Sequence, residues 1–487
     1  MSDIISVRDL DREEIDKIIT TAINLKQDNT FLENKAQGKV MASLFFENST
    51  RTRESHGMAA QRLGMKIIGF SGIEGTSVKK GEPLADTVRM YAGYGTDLVV
   101  IRHNLDGAAR YVADLLPIPV INAGDGANSH PTQTLLDLMT IKEAKGHIDN
   151  LKIALVGDLK YGRTVHSLLQ GLSFYNYVEV VLVAPPSLQM PQHFIDNFVK
   201  KGGRVTITEN IHEALSADIL YMTRIQRERF PRGPEGEYEY QKVQGTYRIT
   251  PQLLAQGRAD LKLMHPLPRV KEQLEISLDV DNTDHALYFE QARNGMFIRQ
   301  VVINKLLLES KKKDLPESNG SQLWQDLPIE HGSKKGERLL YRLDDGILID
   351  HIEQGRGLTV YHLLALENLK QVEIVPALNI KSSKYGRKDV LAIHNITLEP
   401  KQLWKVYLVS ERATINIIEN QDVTKKGRVV LPSCLEGLVI CRNINCISRP
   451  EHHEQAVSKF HVESQSPLLL RCHYCEKTLK REQIEFV

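Results

Sequence analysis

Between about residues 40 and 310 the chain alternates short apolar runs with amphipathic stretches. KVMASLFF, MKIIGF, DLVVIRH, IPVINAG, LKIALVGD, VEVVLVAP, DILYMTR and LKLMHPLP are rich in Val, Ile and Leu, the pattern of strands covered on both faces. Helical periodicity fills most of the intervals, so the segment predicts two successive doubly wound parallel-sheet α/β domains. In PTQTLLDLMTIKEAKG, Pro131 suits a first helical turn and Gly146 a helix end. The domain break is placed inside that helix, giving domains 1–138 and 139–308. The stretch NGMFIRQVVINKLLLESKKK reads as a last helix that returns across the first domain.

The pattern then changes. Residues 309–336, rich in charge, Ser, Gly and Pro, read as a linker. From 337 to 432 the order is strand GILIDHI, helix GLTVYHLLALENL, strands VEIVPALNI and KDVLAIHNI, helix EPKQLWKVYLVS, strand ATINIIEN. This β-α-β-β-α-β order predicts a ferredoxin-like α+β domain. Residues 433–487 form a cysteine-bearing tail, predicted as a small zinc-binding β domain.

Composition narrows the function classes. The 487 residues suffice for about three domains at roughly 150 residues each. Lys plus Arg number 62 against 61 for Asp plus Glu, a net +1, which gives no global attraction to nucleic acid or to a membrane. No apolar stretch approaches the roughly 20 residues of a membrane span, and the acidic start MSDIISVRDLDREE is unlike a signal peptide; the expected location is the cytoplasm. Asn48-Ser49-Thr50 is then a chance sequon match. All five cysteines lie after residue 430, which argues for one local metal site rather than a disulfide framework.

The stretch FFENSTRTRESHG carries two arginines and several hydroxyls into the start of an Ala/Leu/Met-rich helix. Free N–H groups, the positive end of the helix dipole and a guanidinium together suit an anion such as phosphate. At about 100° per residue Arg51 and Arg53 project to nearly opposite sides; Arg51 is assigned to the ligand and Arg53 to structure. A solvated N-cap would use the same residue types, but SVKKGE, VIRHN and GDGANSHPTQT add further donors, the last two at strand C-terminal ends where open α/β sheets bind ligands. There is no Walker loop, and Ser129 stands where a dinucleotide fingerprint has its third glycine, which disfavours kinases and dehydrogenases.

FFENSTRTR with SVKKGE, HPTQTLLDL, YMTRIQRER and HPLPRV resembles the catalytic chains of the aspartate carbamoyltransferase family over about residues 1–310. The resemblance implies carbamoyl phosphate and L-aspartate as substrates. Ser49, Thr50, Arg51 and Thr52 would hold the phosphate; Thr52, Arg102 and His130 the carbonyl oxygen; Gln133 and the backbone around Leu267 and Pro268 the carbamoyl amide. Lys80, Arg163, Arg224 and Gln226 would receive aspartate. Ser77 and Lys80 would enter from a neighbouring subunit, which implies a homo-oligomer of at least three chains. No catalytic metal is expected.

In the tail, Cys441-x4-Cys446 and Cys472-x2-Cys475 have the spacing of a tetrahedral zinc site with four thiolate ligands, one zinc per chain. Cys434 is left as a small buried thiol, and His452 and His453 as solvated. A zinc ribbon that binds nucleic acid would interleave aromatic and basic residues, which the tail lacks. The order ILIDHI, GRKD, NCIS, CHYCEK resembles the regulatory chains of the same family over about residues 337–487, so the chain looks like a catalytic and a regulatory chain in one polypeptide. That resemblance makes nucleotides candidate ligands, with Asp350, His351, Asn416 and Lys426 as contacts and Ala392 where the family commonly has a lysine. The competing readings are a regulatory half that is only structural and a zinc-ribbon nucleic-acid module.

Overall fold

A computed structural model describes residues 3–225, 227, 230, 233–270, 274–309, 323–329 and 343–487. The chain divides into two compact units, Met1–Leu315 with His453–Gln455, and Pro316–His452 with Ala456–Val487. The predicted linker, 309–336, lies outside the described residues except for 309 and 323–329. No helix among the described residues is long and apolar enough to cross a membrane.

The first unit holds two parallel sheets. Strands β1 (Val40–Phe45), β2 (Lys66–Ser71), β3 (Leu98–His103) and β4 (Val120–Asp125) lie in the order β2-β1-β3-β4. Strands β5 (Lys152–Val156), β6 (Glu179–Val183), β7 (Arg204–Thr208), β8 (Ile219–Met222) and β9 (Lys262–Met264) lie in the order β7-β6-β5-β8-β9. The helices are α1 (Arg12–Gln27), α2 (Thr50–Arg62), α3 (Leu84–Gly93), α4 (Ala108–Leu115), α5 (Pro131–Lys145), α6 (Arg163–Leu172), α7 (Gln192–Lys200), α8 (Pro234–Val243), α9 (Pro251–Leu254) and α10 (Tyr288–Glu309). Helix α5 is continuous, with Pro131 in its first turn and Gly146 at its C-cap in the left-handed region, φ 80°. Helix α10 packs on α1, α2 and α5, as the return of the last helix predicted.

One apolar core runs through both sheets. It joins Met41 and Phe45 of β1, Leu135 to Ile141 of α5, Ile153 and Leu155 of β5, and Phe297 to Leu306 of α10. Strand β7, absent from the apolar pattern, is half-exposed: an edge strand with only one neighbour needs no continuous Val/Ile/Leu run.

In the second unit, β11 (Gly346–Glu353), α11 (Gly357–Leu363), β12 (Ile374–Ser382), β13 (Gly386–His394), α12 (Pro400–Val409) and β14 (Thr414–Glu419) follow in the predicted order. Their sheet order β14-β11-β13-β12, all antiparallel, is the ferredoxin-like arrangement. Strand β15 (Asp422–Val429) and the short β10 (Trp324–Asp326) extend the β14 edge. The tail is a four-stranded antiparallel sheet in sequence order, β16 (Cys434–Glu436), β17 (Lys459–Gln465), β18 (Leu468–Cys472) and β19 (Thr478–Lys480).

Candidate active site and metal centre

Three strand-to-helix junctions build the site: β1 to α2, β4 to α5, and β5 to α6. The N-caps are Ser49, His130 and Gly162, and none makes a side-chain capping bond. The first turns of these helices are therefore not occupied by their own caps, and their dipoles favour negative charge at the C-terminal edges of the sheets. Thr50 is exposed in the first turn of α2, and Thr52 is buried, its carbonyl accepting from Nδ1 of buried His56 at 2.8 Å.

Two guanidiniums converge over Gly124. Arg102, 8% exposed at the end of β3, donates to the Ala123 carbonyl at 3.2 Å and to Glu47 Oε1 at 2.8 Å. Arg163, 7% exposed, opens α6, donates to the Gly126 carbonyl at 2.6 Å and lies 3.9 Å from Glu47 Oε2. Gly124 has φ +113°, and a Cβ there would stand 3.0 Å from Arg102 Nη1 and 3.1 Å from Arg163 Cζ. Only glycine allows both the backbone conformation and this approach. Arg51 lies beside them on α2; loss of water around its guanidinium, then the charge of Arg102, lowers its pKa from the ordinary arginine value. Glu47 offsets at most one of these three charges, so the cluster is built to receive anions.

His130 sits among these cations, 4% exposed, and its Nδ1 has no partner among the described residues. Burial, then Arg163, Arg102 and Arg299, push its pKa well below 6.5. It is a neutral imidazole at physiological pH, able to donate one hydrogen bond without losing a proton. Gln133, one turn into α5, donates through Nε2 to Asp137 Oδ1 at 2.9 Å. Leu267 and Pro268 follow β9, with Leu267 at φ 52° and the peptide between them cis.

Arg224, half-buried just beyond β8, lines a cavity of ≈ 450 Å³ together with Thr223, Gln244, Tyr247, Arg248 and Glu275. It is shared with an adjoining cavity of ≈ 470 Å³ that Arg227 and Tyr240 also line. Gln226 lies outside the described residues. Ser77 and Lys80 occupy an exposed 3-10 turn, Ser77–Lys80, and the structure does not bring them to the Arg102–Arg163 cluster. Arg53 is exposed and pairs with its neighbour Glu54 at 2.8 Å, a surface contact of little energetic weight. Sequence reasoning missed Glu47, Asp137 and buried Arg299, whose pKa burial lowers to about 10. For Asp137 the i, i+4 spacing from Gln133 was an available signal.

The four tail cysteines are buried, unbridged, and have their sulfurs within 4.8 Å of one another. Cys441 and Cys475 are 3.5 Å apart and Cys446 and Cys472 3.8 Å. A tetrahedron with Zn–S bonds of about 2.3 Å has edges of roughly 3.8 Å, so the donor set fits zinc. Hydrogen bonding that favours the Cys472 thiol beside the other three sulfurs, then burial, pushes its pKa well above the ordinary value; a divalent cation is what would let the set ionise together. Cys434 is half-buried on β16, apart from this cluster.

On the ferredoxin-like sheet, the register puts Ala392, Leu348, Asn416 and Lys426 in one row across β13, β11, β14 and β15. Asp350 stands two residues along from Leu348 and is bound by Lys388 at 2.7 Å. Its neighbour His351 lines a cavity of ≈ 290 Å³ with Tyr385, Arg387, Lys388 and Arg412.

Four family models match the chain in succession. They are the carbamoyl-P binding domain of aspartate/ornithine carbamoyltransferase (residues 2–143) and its Asp/Orn binding domain (149–306), then the allosteric (339–430) and metal binding (433–485) domains of the aspartate carbamoyltransferase regulatory chain. The aspartate carbamoyltransferase catalytic subunit of Thermococcus kodakarensis is 50% identical over 311 residues, 63% of this chain and 96% of that protein. The catalytic subunit of M. jannaschii aspartate transcarbamoylase aligns with TM-score 0.58 and 42% identity over 63% of this chain and 99% of that one. The Trypanosoma cruzi enzyme in complex with carbamoyl phosphate aligns with TM-score 0.59 and 37% identity over 63% and 96%. With catalytic-type domains ahead of regulatory-type ones in a single polypeptide, the chain belongs to the aspartate carbamoyltransferase family.

Proposed function

We propose that the cleft around Gly124 carries attack of the L-aspartate amine on the carbamoyl carbon of carbamoyl phosphate, giving N-carbamoyl-L-aspartate and phosphate, an early step of pyrimidine synthesis. The observation that carries this reading is the convergence of Arg102, Arg163 and neutral His130 around Gly124, with Arg51 close enough for its charge to couple to that of Arg102. In this reading Ser49, Thr50, Arg51 and Thr52 hold the phosphate, and Arg51 offsets its charge as it leaves. Arg102, His130 and Thr52 donate to the carbonyl oxygen, on which negative charge grows in the transition state. Because His130 is held neutral, it polarises the carbonyl as a donor and does not titrate near pH 7. Gln133 and the backbone at Leu267 and Pro268 receive the carbamoyl NH2. Holding two anions in attack geometry supplies much of the remaining acceleration.

Arg163, Arg224, Lys80 and Gln226 take the dicarboxylate. Lys80 and Ser77, exposed and with no side-chain partner among the described residues, support a role in a neighbouring chain's cleft, and with it a trimer or larger cytoplasmic assembly. The boundaries 1–138, 139–308, 337–432 and 433–487 are kept as the functional domains. Product formation from carbamoyl phosphate with aspartate, and its absence with ornithine, tests the reading; carbamoylation of ornithine overturns the acceptor assignment. Arg224→Ala is expected to raise the aspartate KM about tenfold or more, since a charge-assisted contact is worth roughly 1.5–3 kcal/mol. A steady-state aspartate titration checks it.

At the ferredoxin-like sheet, the row ending in Lys426 and the cationic cavity beside His351 support a nucleotide site dominated by phosphate contacts. Ala392 offers no ammonium to the ribose and base. The expected result by calorimetry is weak binding with little preference between CTP and ATP, and about tenfold tighter binding in Ala392→Lys. Tight, CTP-selective binding by the unaltered chain would show that another group has taken that role.

A further inference from the structure

The carboxylate of Asp137 is 0% exposed and accepts three side-chain hydrogen bonds. Gln133 Nε2 and Gln291 Nε2 reach Oδ1 at 2.9 and 2.6 Å, and the Tyr221 hydroxyl reaches Oδ2 at 2.9 Å. Each donor comes from a different element: α5 itself, α10 and β8. Gln291 continues the chain of contacts, accepting at Oε1 from the His265 N–H at 2.9 Å. His265 Nδ1 in turn accepts from the Leu267 N–H at 2.8 Å, and its Nε2 lies 2.9 Å from Glu275 Oε1. One buried carboxylate is thus joined by hydrogen bonds to both groups assigned to the carbamoyl NH2, the Gln133 amide and the Leu267 backbone.

We propose that Asp137 is a positioning residue for carbamoyl phosphate recognition: by accepting from Gln133 and Gln291 it turns the Gln133 carbonyl oxygen toward the carbamoyl NH2 and sets the Leu267 backbone beside it. The physical reason is that an ionised carboxylate only accepts. A glutamine amide is nearly symmetric in shape, and its two orientations present opposite chemistry to a ligand. Facing Asp137, Gln133 must use its NH2 group, which leaves the oxygen as its remaining acceptor. The same logic at Gln291 commits its oxygen to His265. An asparagine at 137 would donate as readily as it accepts, so the Gln133 amide would lose its preferred sense and present NH2 to NH2 for part of the time. Burial raises the Asp137 pKa, and the three donors and the charge of Arg299 act against that rise and hold it to about 7; these partners are what keep the acceptor form populated.

This inference rests on the assignment of Gln133 and Leu267 to the carbamoyl amide. The test uses the full chain and two probes that differ only where that assignment applies: phosphonoacetamide, which carries NH2 on its carbonyl carbon, and acetonylphosphonate, which carries CH3 there. The unaltered chain is expected to favour phosphonoacetamide by about tenfold or more. Asp137→Asn is expected to abolish that preference by weakening phosphonoacetamide, with acetonylphosphonate unchanged within about twofold. Gln133→Met should show the same selective loss, and the double variant no more than either single one. Equal weakening of both probes in Asp137→Asn, or no change in either, overturns the proposal. If Gln133→Met loses the preference while Asp137→Asn keeps it, the role of Asp137 alone is overturned. An undiminished preference in Gln133→Met overturns the assignment of Gln133, and the proposal with it. Should Asp137→Asn not fold, Gln291→Met keeps the carboxylate and cuts the link to His265; a selective loss of phosphonoacetamide affinity supports the proposal and its absence overturns it.

Discussion

Arg51→Ala is expected to lower the rate of carbamoyl aspartate formation on the order of 100- to 1000-fold while leaving the fold intact, the range seen when a donor aimed at transition-state charge is removed. Arg51 is exposed on the first turn of α2 and contributes nothing to the apolar core, so its loss should cost catalysis rather than stability. Loss of water around its guanidinium, then repulsion from Arg102, lowers its pKa, and an arriving phosphate offsets both. Turnover near that of the unaltered chain would remove Arg51 from the site. Lys80→Ala is expected to inactivate as well. Mixing the two inactive variants should restore part of the activity, because one cleft can then draw both native groups from different chains; no recovery after demonstrated subunit exchange would count against a shared cleft.

The second large effect concerns the metal. Purified protein is expected to contain one zinc per chain, and Cys446→Ser or a thiol-reactive mercurial to unfold the tail. Structural zinc in small peptides contributes apparent binding energies of about 10–16 kcal/mol, most of which is folding energy. Catalysis should outlast this loss, since every group assigned to the transfer lies between residues 49 and 268. Metal analysis gives the first readout, and circular dichroism followed alongside activity the second. Protein prepared without chelator and lacking zinc would refute the site; activity falling in step with metal would show that the tail supports the cleft.

How much of this was legible in the chain differs by element. Strands buried on both faces announce themselves as continuous Val, Ile and Leu, which is why β5, β6 and β8 could be read directly. Strand β7, RVTIT, borders one neighbour and needs no such run. Strand β15, DVTKKGRV, carries three cations between β14 and the short β10, a pattern that periodicity reads as a loop. At the site, Ser49 to Thr52 are contiguous and sit at a helix start, so local chemistry points to them. Glu47 and Arg299 act through partners distant in sequence, and Asp137, although four residues from Gln133, also reaches Gln291 across 154 residues. No spacing rule reaches across such an interval, and only the return of α10 over α5 joins them. Cysteine spacing, by contrast, carried the metal centre, because a tetrahedral donor set constrains sequence as well as space.

The apolar core that passes from β1 through α5 to β5 and α10 has a consequence for any attempt to dissect the catalytic region. Cutting after Gly146 would strip Leu135, Leu138, Met139 and Ile141 of the core they share with β5 and α6, and would leave the carbamoyl phosphate half without Phe297, Ile298 and Val302, which arrive from the far end of the region. Neither fragment would be a module in the engineering sense. In a calorimeter the two α/β lobes should melt in one transition, and the recipient for grafting a new acceptor specificity is the whole of residues 3–309.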